Sequence, residues 1–353
     1  MFKSFRRRLC AFAIAAAGLI GTAQAAPLFS DVVFFGDSLS DTGNVLSLTR
    51  AAGQPLFPSF PGAQGRFSNG PVWTEYLATG LGMPGKSNPS NLLFNGTSVI
   101  PIGPQGGQNF SYGGARTGLS GAAGLTTGLF GQLIAWNGSA FGTSLTRPAD
   151  PNALYVVLAG ANDLRSIRSG VAGTPSGVAA NVTKAVGLLA QAGARHFLVS
   201  NLPDLGKTPE AAYLGQEAYS TALTLQFNGA LDAYMAALDS LFLGTFGVDL
   251  DIRSMDLFGL WETVLSDPLA FGITNVGVPC ITPGPGSGQY FFADATDSGN
   301  CSVSAFSDPL HPSALGHALI GQLALQAVPE PESVPLVMAA IILLGLVRSR
   351  SAA

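Results

Sequence analysis

Three histidines stand in 353 residues, so few side chains can serve as base for a nucleophile. Histidine is the usual proton acceptor for a serine hydroxyl near neutral pH. His196 opens the apolar run HFLVS, the wrong end of a strand for a site, and His317 falls inside a helical pattern as a surface or packing residue. His311 differs. In FSDPLHPSALGH it sits on a segment stiffened by Pro309 and Pro312, with Asp308 three residues earlier. A carboxylate so placed can orient the ring through one nitrogen and leave the other for a nucleophile, the arrangement of a hydrolytic triad. The matching nucleophile is Ser38 in DVVFFGDSLSDTGN, where β-branched and aromatic residues end abruptly in Gly36-Asp37-Ser38-Leu39. Alone, that run is equally a strand ending in an ordinary turn. With Asp308 and His311 it becomes a candidate site.

Attack on a carbonyl creates an oxyanion, which needs donors already in place. The backbone N–H groups of Ser38 and Gly114 and the side-chain amide of Asn162 are the candidates, in GDS, YGGA and GAND. A glycine at 114 allows close approach and positive φ. Taken singly, Gly113-Gly114 is a tight turn and Asn162-Asp163 a helix cap. Asp37 and Asp41 flank the serine, but without a His or carboxylate cluster at ligand spacing they are expected to bond the tight backbone, and no metal or other cofactor is expected. No G-x-S-x-G is present, so the turn presenting Ser38 is not that of an α/β-hydrolase elbow.

These residues need a scaffold that gathers them. Strand-type runs at Asp31–Phe35, Asn109–Tyr112, Leu154–Ala159, His196–Asn201 and Val248–Ile252 alternate with helical patterns. The helical patterns cover Val72–Leu81, Thr126–Phe141, Ser176–Ala192, Ala211–Phe242 and Ser313–Ala327. Continuous apolar runs such as LYVVLAG indicate strands buried on both faces, and the alternation predicts a doubly wound α/β domain. Sites in such sheets form at the C-terminal ends of the strands, where Ser38, Gly114 and Asn162 fall.

The chain is 47% hydrophobic and only 11% charged, with 45 glycines and 23 prolines. That composition suits one sizeable globular domain with long loops. The start, MFKSFRRRLCAFAIAAAGLIGTAQAA, has a basic region, a short apolar stretch and an A-x-A end, which predicts a signal peptide over residues 1–25. Its removal takes away Lys3, Arg6, Arg7 and Arg8, leaving 13 basic against 21 acidic residues, a formal −8. Nucleic acid is thereby an unexpected partner, since phosphate binding needs clustered cations. Cys280 and Cys301 remain, and an even pair in an exported chain points to a disulfide, with two free thiols as the alternative.

The blocks FFGDSLSDTGN, NFSYGGART, GAND and DPLHPS, with GRFSNGPVWTEYLA and GARHFLVSNLPDLGKTP between them, resemble the GDSL esterase/lipase family of the SGNH hydrolases. The resemblance covers nearly the whole of residues 26–327. It implies a flavodoxin-like three-layer fold, a parallel sheet in the order 2-1-3-4-5 with helices on both faces. It implies Ser38 as nucleophile, His311 as base, Asp308 as its partner, and Gly114 and Asn162 as oxyanion donors. Gly114 rather than Gly113 is a choice of alignment. Ser307 stands where many members carry tryptophan, which bears on the pocket wall and removes no reactive group.

The other end, residues 328–353, joins Pro329-Glu330-Pro331 to a 14-residue apolar run, Val334–Val347, and then Arg348 and Arg350. As a helix the run reaches about 21 Å against a hydrocarbon core of roughly 30 Å. The pattern resembles a PEP-CTERM sorting signal, which implies an exosortase-type processing enzyme as partner, transient membrane association, and export across the inner membrane of a Gram-negative bacterium to the cell surface or beyond. The expected function is hydrolysis of carboxylic esters through an acyl-enzyme. The alternatives are a carbohydrate acetylesterase or acyltransferase acting on exopolysaccharide or lipid, and a non-catalytic surface or matrix protein.

Overall fold

The computed structural model describes residues 28–58, 64–140, 142–282, 296–297 and 300–328. The expected signal peptide, and the expected sorting tail from Pro329 on, lie outside the described residues. In chain order the elements are β1 (Val32–Gly36), α1 (Asn44–Ala51), α2 (Trp73–Gly80), β2 (Leu92–Phe94), β3 (Val99–Pro101), α3 (Leu129–Asn137), β4 (Leu154–Leu158), α4 (Ala161–Arg168) and α5 (Pro175–Ala192). They continue as β5 (His196–Ser200), α6 (Pro209–Leu214), α7 (Glu217–Phe246), β6 (Asp251–Met255), α8 (Leu257–Ser266), β7 (Ile281–Thr282), β8 (Thr296–Asp297) and α9 (Ala314–Ala327).

The central sheet is parallel and ordered β1-β4-β5-β6, with Val32 opposite Leu154, Leu154 opposite His196, and His196 opposite Asp251. Every residue of β1 and β4 is buried, so both faces of the sheet are covered. Helices provide that cover: α2 packs on α9, while α5 packs on α7. This is the α/β class that the alternation predicts.

The second predicted strand is an edge segment with a single bridge residue and not a continuous strand. Residues 108–112 run parallel along the free edge of β1, with Phe34 N–H donating to Gln108 O (2.9 Å), Phe110 N–H to Phe34 O (2.8 Å) and Tyr112 N–H to Gly36 O (3.2 Å). Only Asn109 forms a bridge there, to Phe34 on one side and Pro89 on the other. Counting this segment, the five predicted strands lie in the order 2-1-3-4-5. The chain then turns away at Gly113-Gly114, where Gly114 has φ +75°.

Two other boundaries move for identifiable reasons. The predicted helix Ala211–Phe242 is two helices, because Gly215 adopts a left-handed cap (φ +63°) and ends α6. After α7 the chain passes through Gly247 at φ +64°, so the last strand begins at Asp251 and not at Val248. Antiparallel hairpins β2–β3 and β7–β8 lie outside the main sheet. Cys280 and Cys301 form a disulfide with Cα atoms 5.1 Å apart, as expected from their pairing, not as free thiols. Among the described residues no helix is long and apolar enough to cross a membrane.

Candidate active site

The site begins with a close approach between two strands. A Cβ on Gly36 would lie 2.6 Å from Leu158 O, so the last residue of β1 must be glycine for the sheet to continue at that spacing. Gln132, buried in α3, grips the same residue from both sides: Gly36 N–H donates to Gln132 Oε1 (2.9 Å), and Gln132 Nε2 donates to Gly36 O (2.7 Å). The strand end is thus held rigidly where the turn departs. In that turn Ser40 and Asp41 N–H both donate to Asp37 O, and Leu39 N–H donates to Asp37 Oδ1 (3.0 Å). Ser38 stands at its tip.

The third element of the site arrives from 270 residues away. Ser38 Oγ lies 2.7 Å from His311 Nε2, and His311 Nδ1 lies 2.5 Å from Asp308 Oδ2. Asp308 is fully buried, and its Oδ1 accepts the backbone N–H groups of Leu310 (2.7 Å) and His311 (2.6 Å). A carboxylate fixed by three hydrogen bonds can orient the imidazole and stabilise a positive charge on it. Ser307 closes the loop, its N–H donating to His311 O (2.9 Å) and its hydroxyl lying 3.1 Å from Pro312 O. Phe67 lies against the imidazole, ring centroids 5.4 Å apart. Ser38, His311 and Asp308 therefore form one hydrogen-bonded chain.

The candidate oxyanion donors surround the same serine. Gly113 N–H is occupied, donating to Asp41 Oδ2 (2.9 Å), whereas Gly114 N–H and Ser38 N–H donate to no group among the described residues. That difference distinguishes the two adjacent glycines. At φ +75°, Gly114 also has no room for a side chain, since a Cβ would meet Ala122 Cβ at 2.6 Å. Asn162, in the first turn of α4, lines the same cavity as Ser38 and Gly114. Its Nδ2 donates to Ala115 O (3.0 Å) and its Oδ1 accepts from Arg165 (3.3 Å), which fixes the amide orientation and leaves one N–H for a ligand.

Polar residues that single motifs do not reveal support this arrangement. Asn44 donates to Asn109 O and Ser111 O (both 2.8 Å), and Asn109 donates to Ser40 O (2.6 Å), tying the turn after β1 to the edge segment. Asp163 does not cap its helix; it accepts from Thr117 N–H (2.9 Å) and Oγ1 (3.0 Å) and so couples α4 to the loop after Gly114. Arg165 and Arg168 both bind Glu210. Burial pushes that carboxyl up, but the two guanidiniums outweigh it and hold it below the ordinary glutamate range.

Burial raises Asp37 to about 6 against the opposing pull of the Leu39 N–H and of His311, and it raises Asp41 to about 6 against four backbone N–H groups. Both carboxylates serve the backbone around Ser38. His196 pairs with Asp251 (2.9 Å) at the opposite end of the sheet, outside the site. His317 is fully buried and accepts a long hydrogen bond from Trp73 N–H (3.4 Å).

A family model described as GDSL-like Lipase/Acylhydrolase matches residues 32–324. The chain is 29% identical over 306 residues to the thermolabile hemolysin of Vibrio parahaemolyticus, covering 84% of this chain and 63% of that protein. It is 28% identical over 318 residues to the phosphatidylcholine-sterol acyltransferase of Aeromonas hydrophila, covering 86% and 82%. A GDSL esterase/lipase of Arabidopsis thaliana is 26% identical over 344 residues, covering 86% and 91%. The chain thus spans less than two thirds of the hemolysin's length. The family match runs from the first residue of β1 into α9 and takes in every strand-end motif around Ser38, and the chain belongs to the GDSL-like lipase/acylhydrolase family.

Proposed function

We propose that this protein is an exported serine esterase that cleaves carboxylic esters through an acyl-enzyme. The observation that carries the reading is the buried chain Ser38–His311–Asp308, with contacts of 2.7 and 2.5 Å, beside two backbone N–H groups that have no hydrogen-bond partner among the described residues. Ser38 Oγ attacks the carbonyl carbon while its proton passes to His311 Nε2. The carbonyl oxygen becomes an oxyanion held by the N–H groups of Ser38 and Gly114 and by Asn162 Nδ2. Collapse breaks the bond to the alcohol oxygen, which takes the proton from His311 and leaves. Water then repeats the sequence on the acyl-serine and releases the acid. Asp308 keeps the ring in the tautomer that presents Nε2 and balances the imidazolium.

An acceptor alcohol in place of that water would make the same site an acyltransferase. The likeness to an acyltransferase over most of both chains supports this second reading. A non-catalytic role is disfavoured because no member of the triad is missing. One experiment covers these readings: labelling of the protein with a fluorophosphonate, and p-nitrophenyl butyrate turnover with and without a sterol or glycerol acceptor. The adduct is expected on Ser38, and Ser38→Ala is expected to lose at least about 10³-fold in kcat. Turnover of Ser38→Ala within a few-fold of wild type would overturn the assignment. A new ester product in the presence of the acceptor would establish transfer.

Export rests on the sequence pattern of the two ends. Residues 1–25 act as the signal peptide, and residues 328–353 as a sorting tail that holds the chain transiently at the membrane for an exosortase-type enzyme. Mass spectrometry of the protein from the cell surface is expected to show an N-terminus at Ala26 and loss of the apolar run Val334–Val347. An intact chain would refute this processing.

A further inference from the structure

Two cavities meet at Ser38 and His311, which line both of them together with Asn162 and Leu310. The wider one, about 510 Å³, takes the rest of its lining from residues 45–67 and 112–127 and from Arg165, on the side of Gly114. The narrower one takes the rest from the turn after β1, the start of α4, the segment after β5, the 306–312 loop, α8 and α9. The shared residues are therefore the partition between two spaces with otherwise separate walls. The narrower cavity is too small for an ester. Its volume is about 30 Å³, room for about two water molecules.

Leu205, Leu257, Trp261, Phe306 and Ile320 make most of the narrower wall apolar, yet a carboxylate stands in it. Asp37 is 1% exposed; its Oδ1 accepts Leu39 N–H, and its Oδ2 has no hydrogen-bond partner among the described residues. The Thr208 hydroxyl is a second polar group on this wall. It donates to Leu205 O (2.7 Å) and accepts from Ala211 N–H (3.2 Å), which leaves it one lone pair. A buried carboxylate oxygen without a donor is costly, and a buried water needs at least about two polar partners. Asp37 Oδ2 and Thr208 Oγ1 offer them, with Ser38 Oγ at the partition. Asp37, raised by burial to about 6, is ionised near neutral pH and offers acceptors only. A water there donates to it and keeps a lone pair for the ester.

We propose that this cavity is a water site, held by Asp37, that supplies the hydrolytic water to the acyl-enzyme and so favours hydrolysis over acyl transfer. The inference rests on the esterase reading above. In deacylation the water oxygen bonds to the acyl carbonyl carbon while its proton passes to His311 Nε2. The bond from that carbon to Ser38 Oγ then breaks, and His311 returns the proton to Oγ. Any alcohol acceptor must reach the same carbon through the wider cavity. Water from the narrower one has a path that no alcohol of substrate size can enter.

The test joins a crystal structure of the wild type to kinetics of variants that fill the cavity. The crystal is expected to show an ordered water within about 3.2 Å of Asp37 Oδ2. Ile320→Phe and Leu257→Phe add volume from residues outside the catalytic machinery, and thermal melting checks that they fold. Single turnovers of p-nitrophenyl butyrate with enzyme in excess separate the two steps: p-nitrophenol release reports acylation, and loss of the acyl mass from Ser38 reports deacylation. Each variant is expected to acylate within about threefold of wild type and to deacylate at least about tenfold more slowly. With glycerol present, the ratio of transfer product to acid is expected to rise at least about tenfold. A dry cavity in the crystal, an equal fall in both steps, or an unchanged product ratio in both variants would overturn the proposal, and the crystal decides even where a filled variant does not fold. Absence of a fluorophosphonate adduct on Ser38 would refute the esterase reading and this inference with it, whereas an adduct beside a dry cavity would refute this inference alone.

Discussion

Asp41 gathers four backbone N–H groups on one carboxylate: Gly43 (2.8 Å) and Asn44 (2.7 Å) on Oδ1, Gly113 (2.9 Å) and Val45 (3.3 Å) on Oδ2. Burial alone disfavours its charge, and that population of donors is what makes an ionised group tolerable there. Its link to the proposed chemistry is positional. By occupying Gly113 N–H it orients the peptide that precedes Gly114, the proposed oxyanion donor. Asp41→Asn preserves shape but turns one acceptor into an NH₂ group facing backbone donors, so one of these bonds must break. A displacement of an oxyanion donor acts on the transition state more than on the bound substrate. We expect Asp41→Asn to lower kcat by about ten- to a hundredfold with KM little changed, measured on a p-nitrophenyl ester with folding checked by thermal melting. A well-folded variant with kcat within threefold of wild type would show that Asp41 serves the fold alone.

At the scale of elements, the strands buried on both faces are those legible in the sequence. VVFFG and LYVVL are continuous apolar runs because helices cover both sides of β1 and β4, and their ends carry the Gly, Ser and Asn that build the site. β6 reads DIRSM and lies at the edge of the sheet with mostly intermediate burial, so no apolar run marks it. The edge segment at 109–112 was legible in position; it pairs with β1 through backbone bonds, and the side chain of Asn109 adds a tie to Ser40 O in the turn after β1. α1 and α4 are eight-residue helices, one following the Ser38 turn and one following Gly160; runs so short carry little periodicity. The nearness of Ser38, His311, Asp308, Gly114 and Asn162 was legible because the chain has only three histidines, one of them with Asp308 on a proline-stiffened loop, and because Ser38, Gly114 and Asn162 follow strand ends. Gln132 was not. Within LFGQLIAWN it looks like the solvent-facing residue of an apolar helix, and only the partner Gly36, 96 residues away, explains its burial. A lone polar residue in such a run is the signal that its amide meets a distant backbone group.

For the molecule as a whole, acid stability is a contest between buried groups of opposite sign. His317 joins α9 to the start of α2 by accepting Trp73 N–H on Nδ1, which places its proton on Nε2, a buried atom with no partner among the described residues. Burial, with a smaller push from His311, lowers its pKa to about 3. The unfolded chain titrates that histidine near 6.5, so the unfolded state binds the extra proton first, and stability supplied by neutral His317 is lost as pH falls from 6.5 toward 3. Asp37 and Asp41, raised to about 6, act in the opposite direction. Their contribution is fully present below the unfolded value near 3.8 and is lost as pH rises through 6. Between pH 7 and 4.5 the two aspartates therefore favour the native state while His317 opposes it, by on the order of 2–3 kcal/mol at pH 4.5. His317→Gln keeps an acceptor for Trp73 N–H and a buried N–H donor but removes the titration. We expect the melting temperature of this variant, on going from pH 7 to pH 4.5, to change more favourably than that of the wild type by on the order of 5 °C. Calorimetric melts across that range read the difference directly. Parallel curves for the two proteins would mean that His317 binds its proton equally well in both states, and that the acid response of this fold originates elsewhere.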